Sequence, residues 1–244
     1  MKFPKPRVPT VPKQRHGFFI TSAAGLISRQ NDANTELRVD EIAGGRGTER
    51  LFNNLSFSIG PGELVWLRGQ NGSGKTTLLR LVTGLGEPES GSITWNGEGV
   101  RNSTMYRNAL VYLGHHNGLK DDLTALESLQ FLCQLHGRTS DPQVLERALR
   151  RMGVFHRRHL PSRALSQGQK KRVALARLVL EQNPGLWVLD EPFDALDDSG
   201  AAIVNSLLQE HAQRGGSALL TSHISVKITG VQVRELTLEK PQTK

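Results

Sequence analysis

The 244-residue sequence contains a single cysteine and no long apolar run. The lone Cys133 cannot form an internal disulfide, which excludes a disulfide-stapled secreted scaffold and favours a reducing compartment. No uninterrupted apolar stretch approaches the roughly 20 residues of a membrane-spanning helix, so we expect that the chain does not cross a bilayer by itself. Because Cys133 falls in an apolar pattern with helical spacing, we interpret it as a core residue rather than a nucleophile.

Acidic residues are outnumbered by basic ones, which gives the chain a formal net charge of +8. Such an excess favours an anionic partner: a nucleotide, a nucleic acid or an acidic membrane face. Half of the excess lies in residues 1–36, which hold six Lys or Arg against two Asp or Glu, together with four prolines. Since proline opposes regular structure, we predict that residues 1–36 form a basic, disordered N-terminal extension.

One glycine-rich segment, residues 69–77, lies between two regular elements. The apolar run 63–68 before it indicates a buried strand, and the Leu and Val spacing after it indicates a helix. Glycines let the backbone curl around an anion, and the first turn of the helix adds free N–H donors and a positive dipole end. The segment therefore predicts a P-loop for ATP rather than an ordinary glycine-rich turn.

In a P-loop, the residues of the segment contact the phosphates or shape the backbone around them. We expect Lys75 to reach the β- and γ-phosphates and the Thr76 hydroxyl to ligate Mg²⁺. The predicted nucleotide-binding residues of this loop are Gly69, Gln70, Asn71, Gly72, Ser73, Gly74, Lys75, Thr76 and Thr77.

The rest of the chain alternates short strands and helices. Strands joined by short turns, as expected of a small antiparallel sheet, are predicted at 37–42, 51–59 and 91–97, with a further strand at 110–113. Helical spacing at 123–135 and 144–152 indicates a helical insertion, and Ser166 begins a helix through Glu181 whose basic run 170–172 we interpret as a solvated face. The later predicted elements are a strand at 186–189, a helix at about 199–214, and strands at 217–220 and 231–238.

Two acidic residues follow the buried strand 186–189. In parallel α/β sheets ligands bind at the carboxyl ends of strands, so Asp190 can hold a Mg²⁺ ion that bridges the β- and γ-phosphates. His223, just past the next strand, can donate a hydrogen bond to the γ-phosphate and stabilise charge in the transition state.

The order of these motifs resembles that of ATP-binding subunits of ABC transporters over residues 37–240. The matching motifs are the P-loop, Leu165-Ser166-Gln167-Gly168-Gln169, Leu186 to Glu191, Asp194-Ala195-Leu196-Asp197, and His223. The resemblance implies an α/β fold: a P-loop NTPase core with a mostly parallel sheet, a small antiparallel β subdomain, and a helical signature subdomain at about 116–180. It also implies that Glu191 positions and polarises the attacking water; the alternative is a second metal-site carboxylate.

The resemblance further implies a homodimer. Ser166, Gly168 and Gln169 begin a helix, so their amides and the serine hydroxyl form a second anion-binding terminus. In the family this segment contacts the γ-phosphate held by the opposite subunit, so that each ATP is clamped between two chains. Asp197 resembles the acidic residue of the loop that crosses the dimer interface.

Two positions depart from the family pattern. The glutamine that usually touches Mg²⁺ is replaced by His115, whose charge can change near neutral pH. The aromatic residue that usually stacks on adenine is missing before Leu51. A guanidinium plane can stack on a base, so Arg46 is a candidate, and a solvent-facing turn arginine is the alternative.

Three stretches of the sequence resemble the ATPases of bacterial cytochrome c maturation systems: residues 165–178, residues 186–197 and the segment from Gly114 to Glu127. Those ATPases also carry His at the position of His115. This resemblance implies a peripheral protein on the cytoplasmic face of the bacterial inner membrane. Its partners would be an integral membrane permease subunit and further cytochrome c maturation proteins, and ATP hydrolysis would drive a membrane step in haem delivery. No Cys-x-x-Cys-His haem motif occurs in the sequence.

Three other functions remain alternatives. The chain could be the ATPase of another ABC exporter or importer, since the substrate path lies in a different polypeptide. A nucleic-acid-associated ABC ATPase is disfavoured because the chain has no second cassette, coiled-coil insertion or zinc insertion, so we expect no nucleic-acid partner. A non-hydrolysing scaffold is disfavoured because Lys75, Asp190, Glu191 and His223 are all present.

Overall fold

The computed structural model describes residues 36–47, 49–226 and 228–239, except for the Arg46 side chain. The predicted basic extension, apart from Glu36, lies outside the described residues. The first strand of the described residues begins at Leu37, where the sequence pattern predicted a strand.

A parallel sheet carries the centre of the molecule. Within the described residues its five strands follow the order β6-β7-β8-β3-β9, and every neighbouring pair is parallel. All residues of β7 and β8 are buried, as expected of parallel strands covered on both faces. The strand bounds are β3 Leu64–Arg68, β6 Leu110–Leu113, β7 Leu186–Leu189, β8 Ser217–Thr221 and β9 Val233–Thr237.

A second, antiparallel sheet has the order β2-β1-β4-β5 in the described residues. Its strands are β1 Leu37–Arg46, β2 Glu49–Ile59, β4 Ser90–Trp95 and β5 Glu98–Gly99. Asn96 and Gly97 form the turn that joins β4 to β5, with left-handed φ values of 53° and 83°. The predicted end of β1 at Ile42 is wrong: the strand continues through Gly44, where a Cβ atom would lie 2.6 Å from the Phe52 ring.

Six α-helices occur in the described part of the chain: α1 Lys75–Val82, α2 Thr104–Ala109, α3 Ala125–Leu135, α4 Pro142–Arg151, α5 Gln167–Leu180 and α6 Asp198–Gln213. A capping box begins α3, because the Thr124 hydroxyl accepts from the Glu127 amide while the Glu127 carboxylate accepts from the Thr124 amide. The short helix α2 was not predicted. Among the described helices, none is long and apolar enough to span a membrane.

Two apolar cores cover the two faces of the parallel sheet. One packs the sheet against α3 to α6, and the other packs it against α1 and the antiparallel sheet. Together they confirm the predicted α/β class with a parallel sheet, a small antiparallel sheet and a helical part. Cys133 is 1% exposed, and burial raises the pKa of its thiol to about 11, so its prediction as a core residue is confirmed.

The basic run on α5 corrects a prediction. We expected residues 170–172 to be a solvated helix face, but Lys171 is only 6% exposed and its two neighbours are half-buried. The reason is that α5 packs against α3, α4 and α6, so little of its circumference is left for solvent.

Candidate functional site

The glycine-rich segment joins β3, which lies between β8 and β9 in the sheet, to the first turn of α1. Gly74 caps α1 with a left-handed φ of 99°, and no side chain caps this terminus. At Gly69 a Cβ atom would lie 2.4 Å from the Ser73 Oγ and 2.7 Å from the Leu238 carbonyl oxygen. These positions therefore favour glycine, and the amides of the first helical turn are left without a side-chain partner.

Two polar side chains at the start of α1 face the loop and the neighbouring strand. The Lys75 Nζ donates to the carbonyl oxygens of Gly69 and Gln70, at 2.8 Å and 3.2 Å. The Thr76 Oγ1 donates to the Asp190 Oδ2 at 3.3 Å. The structure thus brings the predicted phosphate ligand Lys75 and the predicted metal ligands Thr76 and Asp190 to one place.

A hydrogen-bonded chain organises the carboxylates at the ends of β7 and β8. The Thr221 hydroxyl donates to the Asp190 Oδ1 at 2.8 Å and accepts from the Glu191 amide at 2.8 Å. The Glu191 Oε2 accepts from the His223 amide at 3.0 Å, and the His223 Nε2 lies 3.4 Å from the Glu191 Oε1. Glu191 is 8% exposed and has a left-handed φ of 51°, so its carboxylate is held by backbone geometry as well as by hydrogen bonds.

Thr221 was not predicted as a site residue. The signal was present, because Thr221 ends β8 and Asp190 follows the adjacent strand β7. Only the strand order shows that the two residues are neighbours.

The side chains described at the start of α1 and after β7 and β8, apart from Thr221, line one cleft of about 420 Å³, which we call the P-loop cleft. His115 also lines it, and its role in place of the family glutamine stays a prediction. The lining residues are Glu49, Leu51, Asn71, Gly72, Gly74, Lys75, Thr76, Thr77, His115, Asp190, Glu191 and His223. Glu49 and Leu51 of β2 were not predicted as site residues, because neither has an aromatic ring that could stack on adenine.

The suggested base-stacking residue Arg46 is the last residue of β1, and its side chain lies outside the described part of the structure. Its role stays a prediction.

The second predicted anion site begins α5. Ser166 is the helix cap: its Oγ accepts from the Gln169 amide at 3.2 Å, and its own amide donates to the Gln169 Oε1 at 3.0 Å. With Gly168, these residues line a separate cleft of about 540 Å³, the signature cleft, together with Arg172, Ala195 and Asp197. One chain therefore distributes the predicted nucleotide-binding residues over two clefts.

The loop between β7 and α6 packs against the start of α5. A Cβ atom on Gly168 would lie 2.5 Å from the Ala195 carbonyl oxygen, which explains the glycine. Asp197 caps α6 and also accepts from the Arg172 guanidinium. The Gly200 amide, the Arg172 guanidinium and the Ser199 hydroxyl lower the pKa of the Asp197 carboxyl below its usual value. The predicted interface residue Asp197 is thus fixed to the helix that Ser166 begins.

The P-loop cleft has the chemistry of a phosphoryl-transfer site. It combines a helix terminus for an anion, a lysine, a partly enclosed carboxylate and a histidine. Mg²⁺ prefers hard oxygen ligands and keeps phosphate oxygens and waters in its shell, and the adjacent Thr76 and Asp190 oxygens fit this preference. In the described residues no group of three or more His, Cys, Asp or Glu could hold a metal by itself.

The known proteins that this chain resembles are ATP-binding proteins, which agrees with the phosphoryl-transfer chemistry of the P-loop cleft. The family model described as ABC transporter matches residues 52–194. The chain is 46% identical to the cytochrome c biogenesis ATP-binding export protein CcmA of Nitrosomonas europaea, over 79% of this chain and 91% of that protein. It is 45% identical to CcmA of Pseudomonas aeruginosa, over 83% and 95%, and 42% identical to CcmA of Vibrio cholerae, over 84% and 100%.

Solved structures share the fold. An ATP-binding subunit of an ABC transporter has a TM-score of 0.69 at 30% identity, over 78% of this chain and 80% of that chain. An ATP-binding cassette in a dimeric post-hydrolysis state, bound to ADP and Pi, has a TM-score of 0.72 at 22% identity, over 84% and 97%. At that identity the second likeness shows the fold alone.

Proposed function

The chain belongs to the ABC transporter family, and we propose that it is the ATP-hydrolysing subunit of a CcmA-type complex that energises a membrane step in haem delivery to c-type cytochromes. Relatives named for cytochrome c biogenesis, 42–46% identical over about four-fifths of the chain, support the biological role. The observation that carries the enzymatic role is the convergence of Lys75, Thr76, Asp190, Glu191 and His223 on one cleft.

Binding of ATP begins at the P-loop. Lys75 now donates to two loop carbonyls, and the β- and γ-phosphates of ATP take over these donors while the free amides of α1 contact the remaining phosphate oxygens. Mg²⁺ would neutralise charge on the phosphates of ATP, and the Thr76 hydroxyl and the Asp190 carboxylate are the groups that would hold it.

Hydrolysis then depends on Glu191, two residues after the end of β7, and on His223, two residues after the end of β8. The Glu191 carboxylate accepts a hydrogen bond from the attacking water and orients it towards the γ-phosphate. The His223 imidazole, which stays largely exposed, donates to the phosphate oxygens on which charge develops. His115 enters the same cleft from the loop after β6 and takes the place of the usual glutamine beside the water.

A complete site needs two copies of the chain. The signature cleft of one copy supplies Ser166, Gly168 and Gln169 to the γ-phosphate bound in the P-loop cleft of the other. ATP binding closes this homodimer, and hydrolysis reopens it. Two separate half-sites in each chain, rather than one complete pocket, support this arrangement.

The membrane partner of this homodimer is an integral permease subunit resembling CcmB, joined by further cytochrome c maturation proteins. The protein sits peripherally on the cytoplasmic face of the inner membrane, and it has no nucleic-acid partner. The cytochrome c biogenesis names of the relatives support this location and this choice of partners.

A complementation experiment tests the proposal. In cells that lack this chain, covalently bound haem in c-type cytochromes is measured by in-gel peroxidase activity after return of the wild type or of Glu191→Gln. We expect only the wild type to restore the cytochromes, although both proteins are present at equal level. Normal cytochromes in cells without the chain would indicate another ABC transport system, and salt-dependent RNA or DNA binding would favour the nucleic-acid alternative.

A further inference from the structure

A strong excess of positive charge lies in one segment, residues 142–165, which runs from the start of α4 to the residue before Ser166. The segment holds six arginines, two histidines, no lysine and a single acidic residue, Glu146. Six positive charges against one give it a formal net charge of +5, compared with +8 for the whole chain. Because the excess is so local, it belongs to one surface and indicates an anionic partner there.

Helix α4 carries half of these arginines on its outer face. Arg147, Arg150 and Arg151 are exposed and follow the spacing i, i+3, i+4, which places them on one face of the helix. The residues that α4 buries lie on the other face: Leu145, Ala148 and Leu149. The arginine side chains therefore lie at the surface and take no part in the core.

The turn after α4 continues this surface. Phe155 lies in the short 3₁₀ helix that follows α4, and the guanidinium carbons of Arg150 and Arg158 lie 3.2 Å and 4.1 Å from the centre of its ring. The same two arginines share one carboxylate, since Glu146 lies 3.8 Å from Arg150 and 3.3 Å from Arg158. Arg157 precedes Arg158 and is exposed. The four residues that we call the arginine patch are Arg147, Arg150, Arg157 and Arg158.

The arginine patch carries more positive charge than its neighbours neutralise. Within the part of the chain that the structure describes, no Asp or Glu oxygen lies within 4.0 Å of Arg147 or Arg157. Glu146 is left as the one carboxylate among four guanidinium groups. A surface with such a surplus attracts anions, and each planar guanidinium fork can bind two phosphate oxygens at once.

Two features favour the phosphates of a lipid surface over a protein or a nucleic acid. No large apolar side chain of residues 142–165 is exposed, whereas the centre of a protein interface is usually apolar. Phe155, the only Phe, Tyr or Trp of the segment, is already in contact with two guanidinium groups and is therefore not free to stack on a base. A purely electrostatic surface suits a layer of anionic headgroups.

We propose that the arginine patch binds the phosphate headgroups of anionic phospholipids. The inference rests on the proposed function, because that function places the chain at the cytoplasmic face of the inner membrane. Each arginine near an anionic lipid surface strengthens binding about fivefold, and the attraction fades within a Debye length. Since the segment ends next to Ser166, the lipid contact anchors the same helical part of the chain that carries the signature cleft.

The test compares two double variants of the full chain. Arg147→Gln with Arg157→Gln removes two charges of the patch and breaks no ion pair to a described residue, whereas Arg38→Gln with Arg80→Gln removes two exposed charges elsewhere. Binding is measured by co-sedimentation with vesicles of equal parts phosphatidylglycerol and phosphatidylcholine, and with vesicles of phosphatidylcholine alone. We expect the patch variant to lose at least about tenfold in affinity for the anionic vesicles, and the control variant to stay within about threefold of the wild type.

Salt and stability measurements separate lipid binding from folding. Binding of the wild type to the anionic vesicles should weaken steeply as the salt concentration is raised. The free energy of unfolding in urea should differ little between the two double variants, because both remove exposed charges. If the patch variant does not fold, Arg147→Gln alone should lose about fivefold in vesicle affinity relative to Arg38→Gln.

Equal vesicle affinity of the two double variants would overturn the inference, and so would vesicle binding that does not require phosphatidylglycerol. A patch variant that binds vesicles like the wild type but fails to restore c-type cytochromes would assign the patch to a protein partner. One that loses binding to duplex RNA but not to vesicles would assign it to a nucleic acid. A wild type that binds anionic vesicles through the patch, in cells whose cytochromes do not need it, would instead contradict the proposed function and leave the lipid site standing.

Discussion

The two helix termini that are proposed to meet phosphate are built differently. At α1 the cap is Gly74, which contributes no side chain, so the amides of the first turn are free for a ligand. At α5 the cap is Ser166, whose hydroxyl and amide are both engaged with Gln169 in a capping box. The first terminus is organised to bind an anion in the isolated chain, whereas at the second the Ser166 hydroxyl already binds the Gln169 amide.

This difference separates nucleotide affinity from dimer closure. A phosphate that reaches α1 gains amide donors that no described side chain uses. A phosphate that reaches α5 must share the Ser166 hydroxyl with the Gln169 amide, so its net gain is smaller. We therefore expect changes at α1 to abolish binding, and changes at α5 to weaken closure and turnover while binding to the single chain persists.

Lys75→Ala tests the α1 terminus with the largest expected effect. Loss of the only side-chain cation placed on the loop should raise the Kd for ATP at least about a hundredfold, measured by fluorescence of a labelled ATP analogue. Arg80→Ala, an exposed position on the same helix, should leave Kd within about twofold. Nanomolar or low micromolar binding by the Lys75 variant would refute the assignment of α1 as the primary phosphate site.

Glu191→Gln should separate the two steps instead of removing the first. The variant keeps the hydrogen-bonding shape but loses the charge that orients the water, so turnover should fall about a hundredfold or more while ATP stays bound. Light scattering after size exclusion should then show an ATP-dependent dimer. Unchanged turnover would remove Glu191 from its catalytic role, and Asp198→Asn at the start of α6 provides a carboxylate control.

Features encoded in a short stretch of sequence were predicted, whereas features that depend on contacts between distant residues were missed. The glycine-rich segment and the buried strands are encoded in short stretches, and their positions were predicted within a few residues. The short helix α2 was missed because it has one buried residue, Tyr106, and no periodicity to detect. Thr221 was missed as a site residue because its contacts to Asp190 and Glu191 depend on which strands are neighbours.

Lys171 shows a second limit of prediction. A run of three basic residues on a helix is typical of a solvated face, and only the packing of α3, α4 and α6 around α5 shows that its middle member is buried. The same sequence pattern therefore has opposite meanings on an exposed and on an enclosed helix.

The packing of α6 against the parallel sheet makes the stability of the fold depend on pH, because it buries His211. His211 is fully buried, stacks on Trp187 and contacts the carbonyl oxygens of Gly185 and Ser217, which precede or begin the strands β7 and β8. Burial lowers the pKa of His211 from 6.5 to about 4. The unfolded chain thus binds a proton first as the pH falls, so the stabilisation is complete above about pH 6.5 and is lost towards pH 4.

We expect the free energy of unfolding to fall by up to about 3 kcal/mol between pH 6.5 and 4 from this group alone. Urea unfolding followed by tryptophan fluorescence across this range measures the slope. His211→Gln cannot titrate and should flatten it, whereas equal slopes in both proteins would assign the acid sensitivity to other groups.

Ser166→Ala tests the α5 terminus directly and has the smallest expected effect on binding. ATP affinity of the single chain should change less than about twofold, because Ser166 does not line the P-loop cleft. Turnover should fall roughly tenfold, the size expected for one hydrogen bond to a charged group. Loss of the cap should also lower the free energy of unfolding by about 1 kcal/mol.

Ser103→Ala separates the two roles of the Ser166 hydroxyl. Ser103 caps α2 by accepting from the Tyr106 amide at 3.1 Å and belongs to neither nucleotide half-site. Both variants should lose a similar stability in chemical unfolding, but only Ser166→Ala should lose turnover. If both keep wild-type turnover, Ser166 is a helix cap alone, and the partner copy must hold the γ-phosphate through the α5 amides or through other residues.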